Sequence, residues 1–248
     1  MSTHHKIQSG SVITLDSHQI RFDHYGNKSD KVVIIAHGFF NSKDALLLKE
    51  LGQELVGVYD VIIMNFRGHG TSDGLFHWTA KEYLDLTAVV EYAKKQYKRV
   101  GVIGFSLGAA TSIITASKID GIDTLISISG PTAFEKVEYR FWELDIENDI
   151  VYSLIGEGRI GKGVRPGPFW LGKDKPINSV KDIKCPVFYI HGEDDWLIKP
   201  WHSEELYKNT PTLKRLAIIK NGPHAEYLIR KNKKETVGLI QDWFQSTL

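Results

Sequence analysis

The sequence predicts an α/β fold: a mostly parallel central sheet of about eight strands flanked by helices, with a small cap insertion. Three observations predict it. Short runs rich in Val, Ile and Leu recur along the chain, they are separated by longer segments with helical patterning, and the central runs are apolar almost without interruption. Alternating runs of this kind build a parallel sheet covered by helices, and uninterrupted apolar strands are those buried on both faces. With 248 residues, 42% of them hydrophobic, the chain can bury one sizeable core, so a single domain over 1–248 is expected.

Taken in order, residues 12–15 and 19–25 read as two early strands, with Asp16-Ser17-His18 as the turn of an antiparallel hairpin. Residues 31–37 make the first strongly apolar strand. A helix over 45–55, a strand over 60–66, a helix over 79–96, a strand over 99–105, a helix over 107–118 and a strand over 124–129 follow. The alternation resumes with a strand over 186–191, a helix over 202–208, a strand over 213–219 and a last helix over 225–244. Between the two series, residues 131–184 are rich in charge, glycine and aromatic side chains and offer no clear strand. This interval is read as the cap. It holds Phe134, Tyr139, Phe141, Trp142, Tyr152, Phe169 and Trp170, with an acidic helix-like stretch over 135–149 and a Gly/Pro-rich stretch over 156–168.

Charge and cysteine content narrow the function. Lys and Arg number 31 against 30 Asp and Glu, a net charge of +1, so no global field draws nucleic acid or an anionic membrane; a small neutral or weakly charged substrate is expected. Cys185 is the sole cysteine, which excludes an intramolecular disulfide, and its place before Pro186 and an apolar run predicts a buried structural thiol. The first six residues lack an apolar signal core and no apolar run is long enough to span a bilayer, so a cytoplasmic location is expected. The His, Asp and Glu spacings form no metal-ligand set, and neither metal nor cofactor is expected. Nothing in the sequence decides between monomer and homo-oligomer.

The strongest chemical signal is Gly104-Phe105-Ser106-Leu107-Gly108, a G-x-S-x-G pattern between an expected strand and an expected helix. A serine on such a sharp turn presents its hydroxyl above the sheet, glycines admit the crowded backbone, and the helix that follows aims free N–H groups and its positive dipole end at charge developing on a substrate oxygen. Four further segments fall in a telling order: His37-Gly38-Phe39 after the first strong strand, Phe66-Arg67-Gly68-His69-Gly70-Thr71-Ser72-Asp73-Gly74 after the next, His191-Gly192-Glu193-Asp194-Asp195-Trp196-Leu197-Ile198-Lys199-Pro200, and Gly222-Pro223-His224. In these segments the chain resembles the α/β-hydrolase superfamily over nearly its whole length, and in size and pattern its small-capped esterase and serine aminopeptidase-like members.

That resemblance implies a triad of Ser106 as nucleophile, His224 as general base and Asp195 as the acid that orients it, in the chain order the superfamily uses. The chemistry agrees. A neutral serine hydroxyl needs a base, an imidazole near neutrality suits that task, and a buried carboxylate fixes its tautomer. The acid is drawn from adjoining carboxylates: by resemblance it stands four positions after the histidine of the His-Gly pair, at Asp195, with Asp194 the second choice. His37 and His191 read as structural and His69 as a turn residue. The backbone N–H groups of Phe39 and Leu107 are, by resemblance, the oxyanion hole. Phe39, Phe40, Trp142, Trp170 and Trp196 are candidates for an apolar acyl or aryl pocket, or simply for the seal between cap and core. Hydrolysis of a small carboxylic ester is the leading expectation. Acyl transfer, or thioester or peptide cleavage by the same triad, stays open, as does a non-catalytic binding protein on the same fold.

Overall fold

The computed structural model describes residues 6–26, 28–138 and 163–248. Tyr139, Phe141, Trp142 and Tyr152, most of the acidic stretch and the start of the Gly/Pro-rich stretch lie outside the described residues.

The strands are β1 (Lys6–Ile13), β2 (Gln19–Gly26), β3 (Lys31–Ala36), β4 (Asp60–Met64), β5 (Arg99–Phe105), β6 (Thr124–Ile128), β7 (Val187–Gly192) and β8 (Lys214–Ile219). They form one sheet in the order β1-β2-β4-β3-β5-β6-β7-β8. β2 pairs antiparallel with β1 and β4, and every pairing from β4 through β8 is parallel. The helices are α1 (Leu46–Leu55), α2 (Glu82–Lys94), α3 (Leu107–Lys118), α4 (Pro176–Ser179), α5 (Trp201–Asn209), α6 (Tyr227–Lys231) and α7 (Lys233–Thr247).

The apolar strands divide their side chains between two cores, because successive residues of a strand face opposite ways. Val33 and Ile35 of β3, Ile103 and Phe105 of β5, and Phe188 and Ile190 of β7 join Leu48, Leu51 and Leu55 of α1 and Ile240, Trp243 and Phe244 of α7 on one face. Val32, Ile34, Val100, Val102, Val187 and Tyr189 join Leu86, Val89 and Val90 of α2 and Ile113 of α3 on the other. Cys185 is buried at this second core, and burial pushes its thiol up to about 12.

Three expected elements differ. β1 starts at Lys6 rather than 12, since its first half has little strand character of its own and takes its order from pairing, residue for residue, with β2. α2 starts at Glu82 rather than 79, because Trp78 and Thr79 have φ of 57° and 76°, outside the helical region. The helix expected over 225–244 is two. Asn232, at φ −124° and ψ 36°, leaves the helical region after its N–H closes the last turn of α6 on the Leu228 carbonyl, and its own carbonyl accepts from Thr236 N–H as α7 begins. Asn competes with the helix for backbone partners and so favours such junctions.

At the base of the interval read as the cap, Ile177 N–H donates to the Thr132 carbonyl at 3.1 Å. Beyond α4, Val180 and Ile183 are buried in the second core. The stretch from Gly163 lies along the loops after β3 and β4: Gly163 N–H donates to Phe40 O, Arg165 N–H to Gly68 O, and Phe76 N–H to Arg165 O.

Candidate active site

Ser106 stands between β5, a central strand, and α3, with φ 50° and ψ −108°. Positive φ is costly for a residue with a side chain and is found where surrounding structure enforces it. Here Ser106 N–H donates to the Ile128 carbonyl of β6 at 2.8 Å, and its own carbonyl accepts the first bond of α3 from Ala110 N–H. The turn also needs Gly108, since a Cβ there would collide with the carbonyls of Ala36 and His37. The first turn of α3 is thereby seated against the end of β3.

That strand end leads into the loop carrying Phe39. Two roles for His37 follow from its partners: Nδ1 lies 2.7 Å from Gly38 O and so carries the proton, and Nε2 accepts Phe66 N–H at 3.0 Å. The ring therefore ties the Phe39 loop to the loop after β4. Neither the Phe39 nor the Leu107 backbone N–H donates to a protein acceptor among the described residues. Phe39 stacks on Trp78 with centroids 5.6 Å apart and packs on Phe76, yet remains 45% exposed, as Phe40 is 48% exposed.

Asp195 follows β7 and is fully buried. One carboxylate oxygen, Oδ1, accepts the N–H groups of Leu197 and Ile198; the other, Oδ2, lies 2.7 Å from His224 Nδ1 and 3.2 Å from His191 Nε2. Burial alone would raise the Asp195 carboxyl, but the charge on His224 and the hydrogen bonds from His191 and His224 outweigh it and hold the group below the usual carboxylate range. Asp194 is exposed. His191, read from sequence as structural, has Nε2 facing both Ile198 O at 2.6 Å and Asp195, so Nε2 carries its proton and Nδ1 accepts from the Ser203 hydroxyl.

The loops carrying Asp195 and His224 are zipped by backbone bonds: Glu193 N–H donates to Ile219 O and Asp194 N–H to Gly222 O. The approach is so close that a Cβ on Gly192 would meet the carbonyls of Gly222 and Pro223. Past His224 the chain turns back over the central strands. Ala225, at φ 48°, donates its N–H to Ser129 Oγ at the end of β6. Glu226 is buried and accepts from Asn41 Nδ2, and its Oε2 lies 3.7 Å from where a Gly38 Cβ would stand, a place that Ser106 Cβ borders at 3.5 Å. The strand ends thus bring Ser106, the Phe39 loop and the Asp195–His224 pair to one edge of the sheet, where open α/β sheets bind their ligands.

Sequence reading passed over Asn41, Ser129 and Glu226, and no motif marks them; their partners are 96 or more positions away. Of the aromatic candidates, Trp196 is half-buried and Trp170 is 72% exposed, its ring edge-on to Phe169. Among the described residues no group of His, Cys, Asp and Glu could hold a metal ion, and no helix is long and apolar enough to cross a membrane.

Known proteins share this architecture. A family model for the alpha/beta hydrolase fold matches residues 31–148. The chain is 30% identical over 209 residues to the uncharacterized protein YqkD of Bacillus subtilis (strain 168), a match spanning 78% of this chain and 64% of that relative. It is 21% identical over 250 residues to the human serine hydrolase BPHL, covering 89% of this chain and 81% of BPHL. The solved esterase Pf2001 of Pyrococcus furiosus superposes with a TM-score of 0.79 at 26% identity, over 98% of this chain and 93% of its own. The family match over residues 31–148 and the likeness to esterase Pf2001 over 98% of the chain show that this protein has the alpha/beta hydrolase fold.

Proposed function

We infer that the protein hydrolyses small carboxylic esters through an acyl-enzyme on Ser106. The observation that carries this reading is the buried Asp195–His224 pair at 2.7 Å, held on the same sheet edge as the strained Ser106 turn. Asp195 Oδ2 accepts Nδ1–H, so the His224 Nε2 lone pair is the base. It takes the proton of the Ser106 hydroxyl as Oγ attacks the ester carbonyl, and the imidazolium then formed is stabilised by the ionised Asp195. Charge gathers on the carbonyl oxygen, where the N–H groups of Phe39 and Leu107 bind it better than they bind the ground state. His224 returns the proton to the departing alcohol, and water, activated by the same nitrogen, releases the acid.

The exposed rings of Phe39 and Phe40 stand on that oxyanion loop and suit an apolar acyl or aryl group, with Trp170 and Trp196 as further candidates for the wall. A fluorophosphonate probe, located by intact mass and peptide mapping, is expected to add once, on Ser106, and not to label Ser106→Ala; a p-nitrophenyl ester series is expected to be turned over by the wild type alone. Esterase activity surviving in Ser106→Ala would remove the reading, and a marked preference for thioesters or aminoacyl arylamides would reassign the leaving group.

A further inference from the structure

Catalysis as just described needs two separate loops in register: the loop with the Phe39 N–H, and the loop with His224. They are joined by a buried hydrogen bond, Asn41 Nδ2 to Glu226 Oε1 at 2.5 Å, between residues 185 positions apart. The direction of this bond is fixed. Asn41 Oδ1 accepts the Ser42 N–H at 3.1 Å, so the amide must turn its NH2 toward Glu226. Glu226 follows His224 by two residues, and Asn41 follows Phe39 by two. Glu226 forms no ion pair with a described residue and is buried, a costly setting for a carboxylate. What the side chain supplies in return is an acceptor for the Asn41 amide that ties the two loops together.

We propose that Glu226, acting through Asn41, is a positioning residue that sets the oxyanion loop against the His224 loop. It touches no reacting atom. Its effect is to keep the Phe39 N–H aimed at the place where the oxyanion forms, and the proposal rests on the acyl-enzyme reading above. Loss of the bond therefore lowers kcat, since a displaced donor fails the transition state more than it fails the bound ester.

The test measures kcat and KM on p-nitrophenyl acetate, with melting curves, for the wild type, Ser106→Ala, Glu226→Gln, Glu226→Leu, Asn41→Leu and the Asn41→Leu/Glu226→Leu double variant. Glu226→Gln keeps an acceptor for Asn41 and is expected within about threefold of wild-type kcat. Glu226→Leu and Asn41→Leu are expected to lose about 10- to 100-fold in kcat, with KM within about threefold, because misaiming a donor costs less than the 100- to 1000-fold of deleting one. The double variant is expected to be no worse than either single, as both remove the same bond. Wild-type kcat in folded Glu226→Leu, or losses that multiply in the double variant, would overturn the proposal. So would a Glu226→Gln as impaired as Glu226→Leu, which would mean that the charge itself is required. Should Glu226→Leu not fold, Asn41→Leu and Glu226→Gln carry the same decision. A wild type without Ser106-dependent turnover would remove the functional reading and this proposal together, whereas an active wild type with an unimpaired Asn41→Leu removes the positioning role alone.

Discussion

Asp194 and Asp195 are chemically identical neighbours, and burial separates them: Asp194 faces solvent, while Asp195 is fully enclosed by two histidines and two backbone N–H groups. In Asp195→Asn the amide has to present either its oxygen or its NH2 to His224, and the ionised partner of the imidazolium is lost. Turnover of an activated ester is expected to fall by about 10³–10⁴-fold in Asp195→Asn, on the scale of the serine protease precedent, and to stay within about twofold in Asp194→Asn. Steady-state kinetics on the two variants checks this, and the reverse ranking would move the acid to Asp194. Ser106, Asp195 and His224 stood out as candidates in the sequence because each lies in a short segment with its own spacing. Glu226 and Asn41 could not, because their meaning is a contact across 185 positions.

Among the elements, the β1–β2 hairpin, the loop after β4 and α2 meet at one fully buried side chain, Arg67. Its guanidinium forms a bidentate pair with Asp16 of the hairpin turn, at 2.7 and 2.9 Å, and bonds Asp85 of α2 through Nε and Nη2, while Arg67 N–H also reaches Asp85. This pairing holds the Asp16 carboxyl well below the usual range. Removing the cation leaves the fully buried Asp85 carboxylate without its charged partner, beside the partly exposed Asp16. Arg67→Ala is therefore expected to cost about 3–5 kcal/mol, which at roughly 2–4 °C per kcal/mol for a chain of this size lowers Tm by roughly 10 °C. Calorimetry or a circular-dichroism melt reads the shift, and a change under about 2 °C would mean that the network is not structural. The strands and helices flanking it were legible because their apolar periods are strong. The first half of β1 and the break at Asn232 were not, since one depends on a partner strand and the other on a single residue's backbone angles.

For the molecule as a whole, pH is the lever. Burial holds His69 and His202 at about 4, against 6.5 for an unfolded chain. Both are neutral in either state above pH 6.5; below it the unfolded chain takes up protons that the folded chain refuses, so stability falls as pH drops from 6.5 toward 4. Each site is expected to cost on the order of 2–3 kcal/mol by pH 4.5, and His69→Gln should flatten the dependence of Tm on pH; a Tm constant from pH 7 to pH 4.5 would contradict the burial argument. The amino-acid sequence by itself determined the layered α/β architecture and the order of its chemical segments, because apolar periodicity and short motifs are local properties of the chain. Tertiary structure alone decided which carboxylate meets His224, how His191 braces it, and how Glu226 joins the two loops. Those are matters of burial and distance between residues that only the closed sheet brings together.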